Sequence, residues 1–339
     1  MIKIIKEHVE RYPHMQIQDV AKLLYQSVFG GGHLITDPSK SLKRIQEEYH
    51  SILMQDASTS PVIESIGNGM CRIYISSISN GLCTNVLNEI FIRSAAHQRG
   101  TIKELELKIQ HCLEAFQNGQ LPFSADIATE YFENWKSQGY PAISHSDTYR
   151  ENYAPAYRVI EESYAQIYDI VQQIEETNPS VIAIDGMCAS GKTTLGEFLH
   201  MNYPESNLIH MDDYFLQPHQ RTESRLAEVG GNVDYERFYN EIILHLKDKK
   251  GFTYHKYDCK TQSLSSEIFV SWKPLIIIEG SYSQHPYFGD PYDLRLFCEI
   301  SIDEQKKRIL KRNGQEMLER FVSEWIPKEN AYFDTFKIR

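Results

Sequence analysis

The amino-acid sequence predicts an α/β protein. A parallel sheet flanked by helices is expected over residues 178–339, preceded by a mainly helical α+β domain at residues 1–177. Three observations predict this. Short runs of unbroken apolarity, "SVIAID", "NLIHMDD", "PLIIIEG" and "LRLFCEISI", recur in the second half and alternate with helical patterns. Continuous rather than alternating apolarity marks strands covered on both faces, as in a parallel sheet between helix layers. The first half instead spaces its apolar residues three and four apart, the period of a helix with one buried face. Between the two halves, "TNPS" at Asn178–Pro179 stops a helical pattern and marks the domain boundary.

Within the first half, "QIQDVAKLLYQSVF", "SLKRIQEEYHSILMQ", "NVLNEIFIRSAAH", "TIKELELKIQHCLEAFQ" and "SADIATEYFENWKSQ" each predict a helix. "PVIESIG" and "MCRIYISS" have strand composition and flank Gly67-Asn68-Gly69, so a hairpin is expected there. The segment "APAYRVIEESYAQIYDIVQQIEET" predicts one long helix reaching the boundary.

A chain of 339 residues has room for two domains. With 35 basic against 46 acidic side chains, the net charge of -11 argues against a general affinity for nucleic acid or an anionic membrane. The six cysteines are scattered without a C-x-x-C pair, which suits a reducing compartment and suggests neither a zinc site nor a disulfide framework. The opening "MIKIIKEHVERYPH" turns charged at once, and no apolar run approaches the length of a bilayer span. A cytoplasmic location is expected.

The chemistry is concentrated in "VIAIDGMCASGKTTLGEF". Gly186-x-x-x-x-Gly191-Lys192-Thr193 matches the P-loop pattern in full, with an apolar strand before it and an amphipathic helix after it. Glycines let main-chain amides close around phosphate oxygens, and the helix N-terminus adds partial positive charge. Gly186, Ala189, Ser190, Gly191, Lys192, Thr193 and Thr194 are therefore expected to bind a nucleoside triphosphate. Lys192 is expected to reach the terminal phosphates, and the Thr193 hydroxyl to ligate Mg2+.

Two more strand ends carry acids. "NLIHMDDYF" places Asp212 and Asp213 at the carboxyl edge of one strand, and "PLIIIEGSY" places Glu279 at that of another. Ligands of open parallel sheets sit at this edge. A carboxylate there, beside a P-loop, is expected to be a metal ligand or a base.

The segments "GMCASGKTT", "HMDDYF", "GGNVDYERF", "YHKYDCKTQS" and "IIIEGSYS", followed by "ISIDEQKKRILKRNG", stand in the order and approximate spacing found in the uridine kinase/phosphoribulokinase-like P-loop kinases. Residues 180–339 resemble that family, and residues before 175 do not. The resemblance implies transfer of the γ-phosphoryl group of ATP, with Mg2+, to a hydroxyl of a small nucleoside- or sugar-like metabolite. It implies Asp212 as the catalytic carboxylate and a partner in holding metal, and Glu279 as an acid holding metal. It also implies Arg308 and Arg312 as lid arginines, and Asp213, Tyr214, Asp234, Tyr257 and Gln262 as the acceptor pocket. Gln262 stands about where uridine kinases carry a pyrimidine-contacting histidine, and the lid "RNGQEMLERFVSEW" is short. The resemblance therefore implies the reaction class and leaves the acceptor open.

Two stretches of the first half fall outside it. "SVFGGGHLITD" sets Gly30, Gly31 and Gly32 before His33, which reads as a ligand loop or as a glycine-capped turn. "SHSDTYRENYAPAYR" gathers His145, Tyr149, Arg150, Tyr153, Tyr157 and Arg158, either to bind an anionic or planar ligand or to pack a linker. Besides a kinase, the sequence admits a nucleotide-gated regulator, or a bifunctional chain whose first domain acts on the same metabolite. Two carboxylates at strand ends favour the kinase, because a binding switch needs no acid at the acceptor position.

Overall fold

The computed structural model describes residues 1–53, 62–78, 81–98 and 100–339. The chain divides into two compact units, Met1–Thr177 and Asn178–Arg339.

The first unit comprises helices α1 (Ile2–Arg11), α2 (Ile17–Phe29) and α3 (Pro38–Leu53), strands β1 (Ile63–Gly67) and β2 (Met70–Tyr74), and helices α4 (Gly81–His97), α5 (Ile102–Gln117), α6 (Ala125–Ser137) and α7 (Asp147–Tyr153). Strand β3 (Tyr157–Glu161) and helix α8 (Glu162–Thr177) close it. The helices follow the spacing of their apolar residues: Val20, Ala21, Leu23, Leu24 and Val28 of α2 are fully buried. Local signals set the ends. Thr101 accepts from the Glu104 amide at 3.3 Å while Glu104 accepts from the Thr101 amide at 2.9 Å, a capping box that starts α5. Met54 and Gln55, at the end of one expected helix, and Pro61, at the start of the expected hairpin, lie outside the described residues.

The hairpin forms, with Ile63 opposite Ile73 and Ser65 opposite Cys71. The expected long helix does not run its full length. Residues Tyr157–Glu161 instead pair antiparallel with β2, giving the order β1-β2-β3. The physical reason is local. Pro155 disfavours the right-handed helical region for Ala154, which turns left-handed at φ 38° and sends the chain out extended. Val159 and Ile160 then bury in the sheet, and helix begins only at Glu162.

Arg72, at the centre of this sheet, is 1% exposed. Its guanidinium donates to Glu64 Oε2 at 3.2 Å and to Gln26 Oε1 of α2 at 2.8 Å, and lies 4.5 Å over the Tyr157 ring. Glu64 also accepts from the hydroxyls of Tyr12 (3.0 Å) and Tyr74 (2.9 Å), so the buried pair is fully hydrogen-bonded.

In the second unit, β4 (Val181–Gly186), β5 (Ser206–His210), β10 (Leu275–Glu279) and β11 (Leu294–Cys298) form a parallel sheet in the order β11-β4-β10-β5. These are the four apolar runs read from the sequence. Val181, Ala183, Ile209, Ile276 and Ile278 share a core with Phe238 of α11 (Tyr235–Glu241) and with Tyr332 and Phe333 of α14 (Ile326–Phe336). Helix α9 (Lys192–Asn202) covers the opposite face, where Gly196 approaches Leu208 and Glu279. The parallel sheet flanked by helices is as expected. Between α9 and β10 lie α10 (Glu223–Ala227) and short strands β6 (Phe252–Tyr254), β7 (Tyr257–Asp258), β8 (Ser263–Leu264) and β9 (Ile268–Val270). After β11 come α12 (Ile302–Asn313), α13 (Gln315–Arg320) and a π-helical turn at Phe321–Trp325 that runs into α14. Among the described residues, no helix is long and apolar enough to cross a membrane.

Candidate functional site

The parallel register brings Gly186, His210, Glu279 and Cys298 to one edge of the sheet. The loop leaving β4 starts at Gly186 with φ 139°, where a β-carbon would stand 2.2 Å from the Cys298 carbonyl oxygen, so no other residue fits. Ala189 (φ 59°) and Gly191 (φ 106°) turn the loop into α9. The amides opening α9 have no acceptor within the helix, and its dipole is positive at that end. Lys192 folds back over the loop, donating to the carbonyls of Gly186 at 2.7 Å and Met187 at 2.8 Å. The Thr193 hydroxyl donates to Glu279 Oε2 at 3.1 Å, and His210 Nδ1 lies 2.5 Å from Glu279 Oε1. That hydrogen bond holds the His210 imidazole above its ordinary value against the opposing effect of burial.

A cavity of about 1040 Å³ opens over the loop, inside the second unit. Its wall carries six cationic side chains (Lys192, Arg221, Arg308, Arg312, Arg320, Lys328) against four carboxylates (Asp212, Glu279, Glu324, Glu329). In a chain of net charge -11, this is a local reversal of sign that suits a polyanion.

The residues expected at the site divide into two sets. Ala189, Gly191, Lys192, Thr193, Thr194, Asp212, Glu279, Arg308, Arg312, Tyr257 and Gln262 line this cavity. Asp212 leaves β5 on a 3-10 turn, Met211–Tyr214, and is presented to the cavity interior. Its carboxyl sits above the usual carboxylate range, through partial desolvation and the nearby Glu279 charge, while the side chain itself stays exposed. Arg308 donates from Nη1 to the Ala189 carbonyl at 3.3 Å, at the rim of the loop. The Tyr257 hydroxyl accepts from Arg221 Nη2 at 2.7 Å.

Gly186 and Ser190 lie in the loop but do not line the cavity; the Ser190 hydroxyl is buried without a hydrogen-bond partner among the described residues.

Three residues expected in the acceptor pocket do not line this cavity. Tyr214 is fully buried, edge-on to Phe238, with its hydroxyl on Glu241 Oε2 at 3.2 Å. Two residues past Asp212 in the same tight turn, it points into the core. Asp234 caps α11, accepting from the Arg237 amide at 3.2 Å, while its other oxygen takes Gln220 Nε2 at 2.9 Å and Arg237 Nε at 3.3 Å. Both oxygens are used in holding the fold. Asp213 is turned to Lys256, 3.3 Å away, and does not line the cavity.

Other residues were not legible in the sequence. Glu329 of α14 accepts from the Cys188 amide at 2.9 Å and from the Ser281 hydroxyl at 2.7 Å, placing a carboxylate against the phosphate loop from 141 positions away. Asp185, fully buried, accepts from the amides of Gly186 (2.7 Å), Tyr282 (3.2 Å) and Gln284 (3.1 Å) and from the Tyr332 hydroxyl (2.9 Å). Burial pushes its carboxyl up to about 6. It joins three segments beneath the loop. Its position at a strand end was a signal, but the same signal marks exposed acids.

Among the described residues, no group of three or more His, Cys, Asp and Glu side chains forms a metal centre built from protein alone. The adjacent Thr193 hydroxyl and Glu279 carboxylate fit the other kind of site, in which Mg2+ keeps waters and takes most of its oxygens from bound phosphates.

No protein-family model matches the chain. A nicotinamide riboside kinase of Schizosaccharomyces pombe is 22% identical over 165 residues, covering 42% of this chain and 70% of that protein. A solved structure described as a possible uridine kinase from Bacillus stearothermophilus is 22% identical, covers 49% of this chain and 96% of its own, and superposes with a TM-score of 0.38.

Proposed function

We propose that the second unit, whose motifs resemble those of the uridine kinase-like P-loop kinases, is an ATP-dependent small-molecule kinase that transfers the γ-phosphoryl group to a hydroxyl of a nucleoside- or sugar-like metabolite. The observation that carries this reading is the placement of Asp212 in the same cavity as the phosphate loop and the Thr193–Glu279 pair.

The loop amides and the start of α9 hold the phosphate chain, and Lys192 exchanges its two carbonyl partners for phosphate oxygens. Thr193 and Glu279, with Asp212 lining the same cavity, would hold Mg2+, which would supply neutralisation of phosphate charge. Asp212 takes the proton of the acceptor hydroxyl. Arg308 and Arg312 face the loop from α12 and offset charge on the transferring group, while closure of their helix keeps out water. Tyr257, Arg221 and Gln262 border the acceptor end. Phosphoryl transfer depends mainly on such alignment and charge neutralisation.

The test is a screen for acceptor-stimulated ADP release, with nucleosides, pentoses and hexoses, uridine and nicotinamide riboside among them. One hydroxylated compound should raise ADP formation above the idle rate and appear as its phosphomonoester by mass spectrometry. Hydrolysis of ATP at one rate with every compound would sink the kinase reading and favour a nucleotide-gated regulator.

A further inference from the structure

A second cavity lies wholly within the first unit. Its volume is about 460 Å³, within the usual range for small-molecule sites. Lys22 of α2, Arg44 of α3, and Arg150 and Arg158 from either side of the Ala154 turn line it, with Glu48 as the one carboxylate on its wall among the described residues. Glu48 is shared, at 3.0 Å from Arg44 Nε and 2.9 Å from Arg158 Nη1. Lys22 donates to the Ile143 carbonyl at 2.8 Å, and no carboxylate among the described residues lies within ion-pair distance of it. Arg150 is in turn paired with Asp147, so Glu48 and Asp147 offset two of the four cations and two positive charges remain over, and burial pushes the Lys22 ammonium down to about 8.

One wall is a hydrogen-bonded relay. Asp19 accepts from the Ser146 amide at 3.0 Å, the Ser146 hydroxyl at 2.7 Å and the Gln16 amide at 2.9 Å, and lies 2.8 Å from His145 Nδ1. An acceptor so placed keeps the Nδ1 proton, which leaves Nε2 to accept from the Tyr157 hydroxyl at 2.6 Å. Burial pushes His145 down to about 4, so the ring is neutral at pH 7. Gln26 has its carbonyl on Arg72, so its amide nitrogen, 3.3 Å away, donates to the Tyr157 oxygen. The three-glycine loop also has a place here. A β-carbon on Gly31 would stand 2.7 Å from Phe91, so only glycine lets the loop seat against this wall residue.

We propose that this cavity is a second ligand site, for a small hydroxylated phosphomonoester. Lys22, Arg150 and Arg158 receive the phosphate, and Tyr157, Gln26 and Ser144 face the hydroxylated part. A dianion matches the excess charge better than a single carboxylate does, and charge-assisted bonds from guanidinium and ammonium groups are the strong ones. The site is independent of the kinase reading, since none of its residues belongs to the second unit.

The test uses isothermal titration of the full chain and of its Lys192→Ala variant, which disables the nucleotide loop. Ribose 5-phosphate, inorganic phosphate, ribose and succinate serve as probes. Ribose 5-phosphate should bind both chains at one site in the first unit, more tightly than phosphate or succinate, and ribose should not bind. In the Lys192→Ala background, Lys22→Met and Arg150→Ala should each weaken it about tenfold or more. Lys22→Arg should restore binding, which separates lost charge from lost fold. No binding of ribose 5-phosphate to the Lys192→Ala chain at about 10 mM, far weaker than specific recognition, would overturn the proposal. So would binding unchanged by Lys22→Met and Arg150→Ala, or a preference for succinate or ribose. Failure of acceptor-stimulated ADP release would leave this result untouched.

Discussion

The Thr193 hydroxyl donates to Glu279 Oε2 at 3.1 Å, bridging the start of α9 and the end of β10. The proposed function requires these groups to share Mg2+. Glu279→Gln is therefore expected to cut Mg2+-dependent turnover about a hundredfold, the scale of one preorganised charge-stabilising group. Binding of ATP without metal should change little. Titrating turnover and nucleotide affinity against Mg2+ checks both.

Asp212 touches no part of the nucleotide loop through a hydrogen bond, yet it lines the same cavity. Asp212→Asn should leave ATP affinity nearly intact and slow phosphoryl transfer about a hundredfold or more, as loss of a general base does. Single-turnover transfer together with equilibrium ATP binding separates the two effects. Transfer at the parent rate would remove Asp212 from the role of base.

Glu329 holds the Cys188 amide, a group of the phosphate loop. A triphosphate arriving there meets a carboxylate of like charge. Glu329→Gln should tighten ATP binding by several-fold, up to about tenfold, equivalent to about 1.4 kcal/mol. Calorimetric titration measures it, and a melting curve shows whether the fold is retained. Weaker binding would mean that Glu329 shapes the loop for nucleotide instead of opposing it.

Asp234→Ala tests the place of this residue outside the acceptor pocket. With its oxygens committed to Arg237 and Gln220, loss of this cap should lower stability by about 1–3 kcal/mol. The KM for whichever acceptor is found should not move. A raised KM with unchanged stability would return Asp234 to the substrate.

His8 and His145, both buried in the first unit, are pushed by that burial to about 4. The unfolded chain, titrating near 6.5, takes up protons that the folded chain refuses. Stability is then full above about pH 6.5 and is lost as pH falls toward 4, by on the order of 3 kcal/mol for each histidine. Denaturant melts of the first unit's signal across this window should show the loss, and His145→Gln should make it shallower.

Strands β4 and β10 were legible because every residue in them is buried, and the partly exposed β5 and β11 because their apolar runs are of strand length and alternate with helical patterns. β3 was not, since its five residues run directly into a true helical pattern, and only the partner strand β2 decides between them. The phosphate loop was legible from spacing because its contacts are local. The acceptor side was only half legible: position in a motif says that Asp212, Asp213 and Tyr214 lie in one turn, but not which of them face the cavity. Glu329 had no signal, because its partner Cys188 stands far away in sequence and a lone glutamate on a helix usually faces solvent.

The guanidinium of Arg72 has consequences for how the first unit assembles. It ties α2 to the hairpin and to β3 through Gln26, Glu64 and the Tyr157 ring. If any one of these fails to dock, a charge is stranded in apolar surroundings, at a cost of several kcal/mol. Partly assembled forms are thereby penalised, so helix, hairpin and third strand gain stability together.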